Sequence, residues 1–414
     1  MNRTLADRHA RLAERFGTPL YVYDLDEIDA ARSELYDALP REARLFYALK
    51  ANPHPDIARA LGEGPGRPCL PEISSTGELA VALAAGRRGQ DCLYTGPGKT
   101  AAELDEAIAL GVRRFSTDSV TDVRRVGAAA RAHGAVADCI LRVNAPSARG
   151  TTAIRMTGTP SQFGFDAETL PDTLPLVRDI PGTRITGLHF FPLSNAQDAS
   201  ALIDAFRHSI ILAAQLERDL GLTLRFLDLG GGFAAPYGVP GQRGAYPKLR
   251  AELEADLDLH LPGWRHDRPA VAFEAGRFLV GAGGTLIARV GNIKVSRGHK
   301  FVVLDAGINA FGGMSGLGRL LPVSVRIDGA AETETATLVG PLCTPGDVLG
   351  RGVELPVLEP GDLVSIPNAG AYGPTASLLT FLGRPAPAEV VVRGDLVVSA
   401  SRLEHHRVAL GGCS

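Results

Sequence analysis

From about residue 24 the chain alternates short apolar runs with Ala/Leu/Arg-rich stretches of helical period, and nothing else in it limits the fold as much. Such alternation calls for repeated βα units around a parallel sheet. Eight strands are expected, at 44–49, 69–74, 92–96, 113–118, 137–144, 185–191, 224–229 and 269–274. Segments such as Gly77–Ala85 and Ala201–Phe206 fall between them, where crossover helices belong. Eight units in roughly 250 residues match a (β/α)8 TIM barrel, here over 24–282. Beyond residue 283 the texture changes to β-branched runs, such as Phe301–Leu304, Thr337–Val339 and Glu389–Val392, punctuated by Gly and Pro. These features predict a mostly antiparallel β domain over 283–414. Residues 1–23 are expected to join it through a strand at Leu20–Tyr23. A chain of 414 residues with 45% hydrophobic content can bury one large core and a smaller one.

A formal charge of -3 gives no general reason to bind nucleic acid or an anionic membrane. Five cysteines (Cys69, Cys92, Cys139, Cys343 and Cys413) are scattered and form no CxxC pair. That pattern suggests neither a disulfide framework nor a zinc site and fits a reducing cytoplasm. His405-His406 is read as a solvated tail rather than a metal site. The N-terminus lacks an apolar leader core, and no stretch approaches the ~18 apolar residues of a membrane span. The expectation is a soluble, unexported protein.

In a TIM barrel the reactive residues sit at the C-terminal strand ends. Here those ends carry Lys50, Arg142, His189 with Phe191, the run Gly230-Gly231-Gly232, and Glu274 followed by Gly276 and Arg277. Alone, Lys50 reads as a solvated strand-end lysine. The set around it meets the needs of pyridoxal 5'-phosphate (PLP): an amine for a Schiff base, a phosphate cradle and a partner for the pyridine nitrogen. The glycine run admits backbone N–H groups close to a phosphate, or it is simply a tight turn. Glu274 would keep the ring nitrogen protonated; an ion pair with Arg277 is a compatible reading. Two decoys are rejected. Gly230–Ala235 fits a dinucleotide-binding fingerprint, but Pro236, Gly238, Pro240 and Gly241 follow where a helix is required. Gly98-Lys99-Thr100 resembles the end of a P-loop, but position 93 is Leu rather than Gly.

Six motifs, in order along nearly the whole chain, resemble the diaminopimelate/ornithine decarboxylase family of fold-type III PLP enzymes. They are Tyr47–Asn52, Ser75–Leu79, Leu227–Phe233, Glu274–Arg277, Gly340–Cys343 and Gly370–Gly373. The resemblance implies an alanine-racemase-like barrel with a C-terminal β domain, and a head-to-tail homodimer with shared active sites. It assigns Lys50 to the Schiff base, Glu274 to the pyridine nitrogen, and Gly230, Gly231, Gly232, Gly276, Arg277 and Tyr372 to the phosphate. Ser194 and Arg142 fall where the cofactor is usually lined. Cys343 takes the place of the cysteine that reaches the partner subunit's cofactor and returns a proton after CO2 loss; without the resemblance it reads as a small buried cysteine.

The departures bear on substrate. The family's His-x-His is His189-Phe190-Phe191 here, so Phe191 would stack on the ring with no proton to share. The acidic residue expected after the cysteine is replaced by Thr344, with Asp347 as a possible substitute. Burying an unpaired distal ammonium is costly, which counts against diamino substrates. No Arg-Pro pair follows Asp305-Ala306-Gly307, and Arg319 lacks a following Pro, so diaminopimelate is disfavoured. The Cys343-Thr344-Pro345 run, Met156-Thr157-Gly158 and Ser161–Gly164 look like the natural-product branch, including butirosin-type enzymes that act on amino acids tethered to acyl-carrier proteins. The reading is therefore amino-acid decarboxylation. A racemase or epimerase on the same barrel, or a catalytically silent regulatory homologue, are the alternatives.

Overall fold

A computed structural model describes residues 5–64, 66–145, 160–312 and 332–409. Met156–Gly158, Arg319 and Cys413 lie outside the described residues. The chain forms two compact units. The larger contains the described residues of Ile28–Ala235 and Arg243–Leu279, the smaller those of Met1–Glu27, Pro236–Gln242 and Val280–Ser414.

In the larger unit all eight expected strands form: Arg44–Ala48, Leu70–Ile73, Leu93–Tyr94, Arg114–Thr117, Ala137–Asn144, Thr183–His189, Phe226–Asp228 and Ala270–Ala275. We number them barrel strands one to eight. Each pairs in parallel with the next, and strand eight pairs with strand one, which closes the sheet. One crossover helix separates each pair: Pro55–Glu63, Thr76–Ala84, Ala101–Ala109, Val120–Ala132, Leu170–Arg178, Ala199–Leu220 and Leu249–His260. Local sequence starts and stops them. Ser75, Thr100, Ser119 and Asp198 each accept a backbone N–H at a helix start, and Gly221 ends the longest helix at a φ of 57°. Phe46, Leu93, Ile140, Phe226, Ala270 and Ala272 pack together in the barrel. Burial of each large side chain contributes about 1.5–3 kcal/mol.

Among the described residues the smaller unit contains one eight-stranded sheet. Leu20–Asp24, from the start of the chain, lies between Gly284–Ser296, to which it is antiparallel, and Ala388–Arg393, to which it is parallel. Leu20, Val22, Ile287, Val390 and Val392 share its core with Leu12. Among the described residues no helix is long and apolar enough to cross a membrane.

Candidate active site

Lys50 follows barrel strand one in a single 3-10 turn, Leu49–Ala51. Its Nζ lies 3.3 Å from both carboxylate oxygens of the buried Glu72 on strand two. It also sits 5.9 Å from the ring centre of Phe191, and the Arg142 guanidinium is 5.7 Å from that centre. Strand one, strand five and the segment after strand six thus converge on one flat apolar surface. Arg142 is steadied from behind: Asp118 lies 4.0 Å away and is also 4.0 Å from Lys99 Nζ. Lys99 is buried and bonds Asp122 at 2.8 Å, while Asp118 accepts the Gly164 N–H.

Beside this cluster, His189 Nδ1 meets Ser116 Oγ at 2.7 Å, and its Nε2 stands 3.5 Å from Glu274 Oε1. One nitrogen or oxygen from each of His189, Asp228 and Glu274 lies within 4.8 Å of the others, all in a buried setting. Burial, then the neighbouring Glu72 and Asp228, pushes the Glu274 carboxyl well above the usual range. Burial likewise pushes Asp228 up to about 7. His189 moves down, through burial first and then the cations of Arg142 and Lys50. Both shifts favour the uncharged forms, an imidazole without its extra proton beside a protonated carboxyl.

The glycine turn follows strand seven. Gly230 N–H donates to Asp228 Oδ1 at 2.9 Å, and Gly230 O accepts the Glu274 N–H at 2.8 Å. A Cβ at Gly230 would stand 2.3 Å from the Phe190 carbonyl oxygen, and one at Gly231 would stand 2.5 Å from that of Glu274. Gly230 also has a φ of +72°. Close packing of backbones thus demands glycine here, whatever else binds, as the tight-turn reading had it. After the glycine turn no helix begins until Leu249, so the dinucleotide fingerprint is not realised. Lys99 of the other decoy is tied up in its buried ion pair. Ser194 lies in the loop after strand six, and Gly276 and Arg277 directly follow strand eight.

Within the smaller unit, Tyr372 adopts a φ of +53°, and its carbonyl accepts the Tyr237 hydroxyl at 3.2 Å. A bulky residue in that region is strained, and strain of this kind clusters at functional positions. Two expectations need correction. Cys343 is exposed, not buried, because it rides a tight turn in which Thr344 N bonds Leu342 O and Asp347 N bonds Thr344 O. Asp347 does not substitute for the missing acid. It is buried, and its two oxygens accept the N–H groups of Ile308 (2.8 Å) and Leu342 (2.7 Å).

Sequence reasoning gave no role to Glu72, Ser116, Asp118, Lys99 or Asp228, although they support the named residues. A charged residue inside an apolar strand was the available signal for Glu72. The Lys99–Asp118–Asp122 network had none, since its members come from separate loops and a helix.

PLP requires an amine, a flat surface for its ring and a polar partner for the ring nitrogen. Lys50 and Phe191 offer the first two. For the third, Glu274 Oε1, His189 Nε2 and Asp228 Oδ2 are buried without a hydrogen-bond partner, as expected where a polar group is to be received. The residues fit the cofactor. Residues 25–281 match the family model of the pyridoxal-dependent decarboxylases, pyridoxal binding domain. The chain belongs to this family of PLP enzymes. It is similar to the L-glutamyl-[BtrI acyl-carrier protein] decarboxylase of Niallia circulans, with 32% identity over 92% of this chain and 90% of that one. It is also similar to a diaminopimelate decarboxylase of Deinococcus radiodurans, with 35% identity over 94% of each. Among solved structures, a Helicobacter pylori diaminopimelate decarboxylase complexed with L-lysine superposes with a TM-score of 0.80 at 26% identity, covering 94% of this chain and 95% of that one. This family member is accordingly an amino-acid decarboxylase that uses PLP.

Proposed function

We propose that this decarboxylase acts on an amino acid without a distal ammonium, presented on an acyl-carrier protein in a natural-product pathway. The observation that carries the reading is the engagement of Asp347 by two backbone N–H groups, with Thr344 in the place of the family's acid. A lysine-like ammonium would find no carboxylate from that turn. Overall identity does not separate the relatives, at 32% and 35%, so the residues at this turn must.

In this reading Lys50 holds the cofactor covalently, and Phe191 backs the pyridine ring with an apolar face that keeps water from one side. Bound PLP supplies an electron sink for the pair left when CO2 departs. Glu274 holds a proton at its carboxyl oxygen and shares it with the ring nitrogen, and Ser116 fixes His189 so that Nε2 stays against that carboxyl. Arg142, Ser194, Gly230 to Gly232, Gly276, Arg277 and Tyr372 bind and orient the rest of the cofactor. Cys343, from the second copy in a head-to-tail homodimer, returns a proton to the carbon that lost CO2. The proposed location is the cytoplasm, where Cys69, Cys92 and Cys139 stay reduced.

The test is CO2 release by PLP-loaded protein from aspartate, glutamate and lysine, each free and linked to a carrier protein. Carrier-linked acidic substrates should turn over fastest, and Lys50→Ala should lose both turnover and the covalent cofactor absorbance. Faster release from free lysine or diaminopimelate would sink the substrate assignment.

A further inference from the structure

The opposite, N-terminal mouth of the barrel holds a second charged cavity, of about 180 Å3, that the decarboxylation chemistry does not use. Its lining comes from strand starts: Arg44 on strand one, Arg114 on strand four, Asp138 on strand five, Arg184 on strand six, and Arg225 and Asp267 just before strands seven and eight. Below it Phe226 packs with Phe46, Leu93 and Ile140, so an apolar layer separates this mouth from the catalytic end.

The charges at this mouth do not balance. Asp138 is occupied by Arg184, through Nε at 2.9 Å and Nη2 at 2.6 Å. Asp267 is occupied by Arg44 at 3.1 Å. Four arginines against two aspartates leave two positive charges, and the arginines left over are Arg114 and Arg225. Arg114 is half-buried, with the Phe226 ring 4.3 Å from its guanidinium carbon and no ion pair among the described residues, although Asp138 and Asp228 attract it from further off. Desolvation, and then repulsion from Arg44, work against the Arg114 cation. The attraction of a bound dianion would offset both. Guanidinium forks match the geometry of tetrahedral oxyanions and bind them through paired N–H donors. The volume sets an upper size, since it lies below the ~300 Å3 at which pockets for drug-sized ligands begin.

We propose that the N-terminal mouth of the barrel is a binding site for a small dianionic oxyanion of the phosphate class, held by Arg114 and Arg225 over Phe226. The inference does not depend on the substrate proposed above. Calorimetric titration of the PLP-saturated enzyme with inorganic phosphate, in a phosphate-free buffer, tests it against chloride at matched ionic strength. PLP saturation keeps the cofactor's own phosphate site occupied, and the cofactor absorbance reports any displacement. The expected result is one saturable phosphate site per chain, absent with chloride and without loss of cofactor absorbance. Arg225→Met, an exposed position that should leave folding intact, weakens it at least about tenfold, as loss of a charge-assisted contact implies. Arg114→Met abolishes it. No phosphate signal above chloride, displacement of PLP by phosphate, or an Arg225→Met titration like wild type would overturn the site.

Discussion

The two mouths of one barrel handle charge in opposite ways. At the C-terminal end, Lys99, Asp118, Asp122, His189, Asp228 and Glu274 are all buried, and their proton affinities are displaced or their charges tightly paired. At the N-terminal end, Arg184 and Asp138 form their pair in contact with water, the Arg184 side chain being 53% exposed. The same residue types therefore do different work. Buried charge can hold or withhold a proton at neutral pH; exposed charge stays ionised and acts on ions that reach it from solvent, screened by salt.

The most severe test of this contrast is Glu274→Gln. An amide cannot hold the shared proton, so decarboxylation should slow by about 10²–10⁴, while the cofactor stays on Lys50 with an altered visible absorption band. A rate near wild type would break the comparison at its centre. Stability comes next. Lys99→Met leaves Asp122 buried without its cation, and Asp118 with Arg142 alone, and should cost about 3–5 kcal/mol in denaturant unfolding. Arg184→Met, at the wet mouth, should cost no more than about 1 kcal/mol. Equal losses would mean that burial does not set the difference.

A finer test concerns Glu78, which accepts the Ser74 N–H at 2.7 Å near the catalytic mouth. Burial, and then the charge of Glu72, pushes it up to about 7 from 4.5. The folded chain thus binds this proton more tightly than the unfolded chain. Glu78 therefore destabilises progressively as pH rises from about 4.5 to about 7, by up to roughly 3 kcal/mol at 1.36 kcal/mol per pKa unit. Glu78→Gln should flatten that slope in unfolding measured across this range without PLP. An unchanged slope would remove Glu78 from the buried set.

Much of this was legible in the residues alone. The eight strands showed as apolar runs at regular spacing, because alternating βα units leave a local, periodic trace. Lys50, Glu274 and the glycine run stood out because each closes such a run. Partners brought together only by closure did not: Glu72 meets Lys50 across two strands, and Asp118 joins Lys99 to Arg142 from separate segments. The turn after Cys343 was not legible either: it exposes the thiol, and it ties Asp347, offered from its place in sequence as a substitute acid, into backbone hydrogen bonds. The arginines of the N-terminal mouth lie far apart in sequence, and no short window shows that two of them lack a carboxylate.

The turn at Gly230 ties strand seven to strand eight at the very place where Asp228 and Glu274 meet, through one bond to a carboxylate and one to the Glu274 amide. In mechanical terms this is a riveted seam. It fixes the backbone of strand seven against that of strand eight where the two acids arise, so their spacing is set by main-chain bonds rather than by side-chain packing alone.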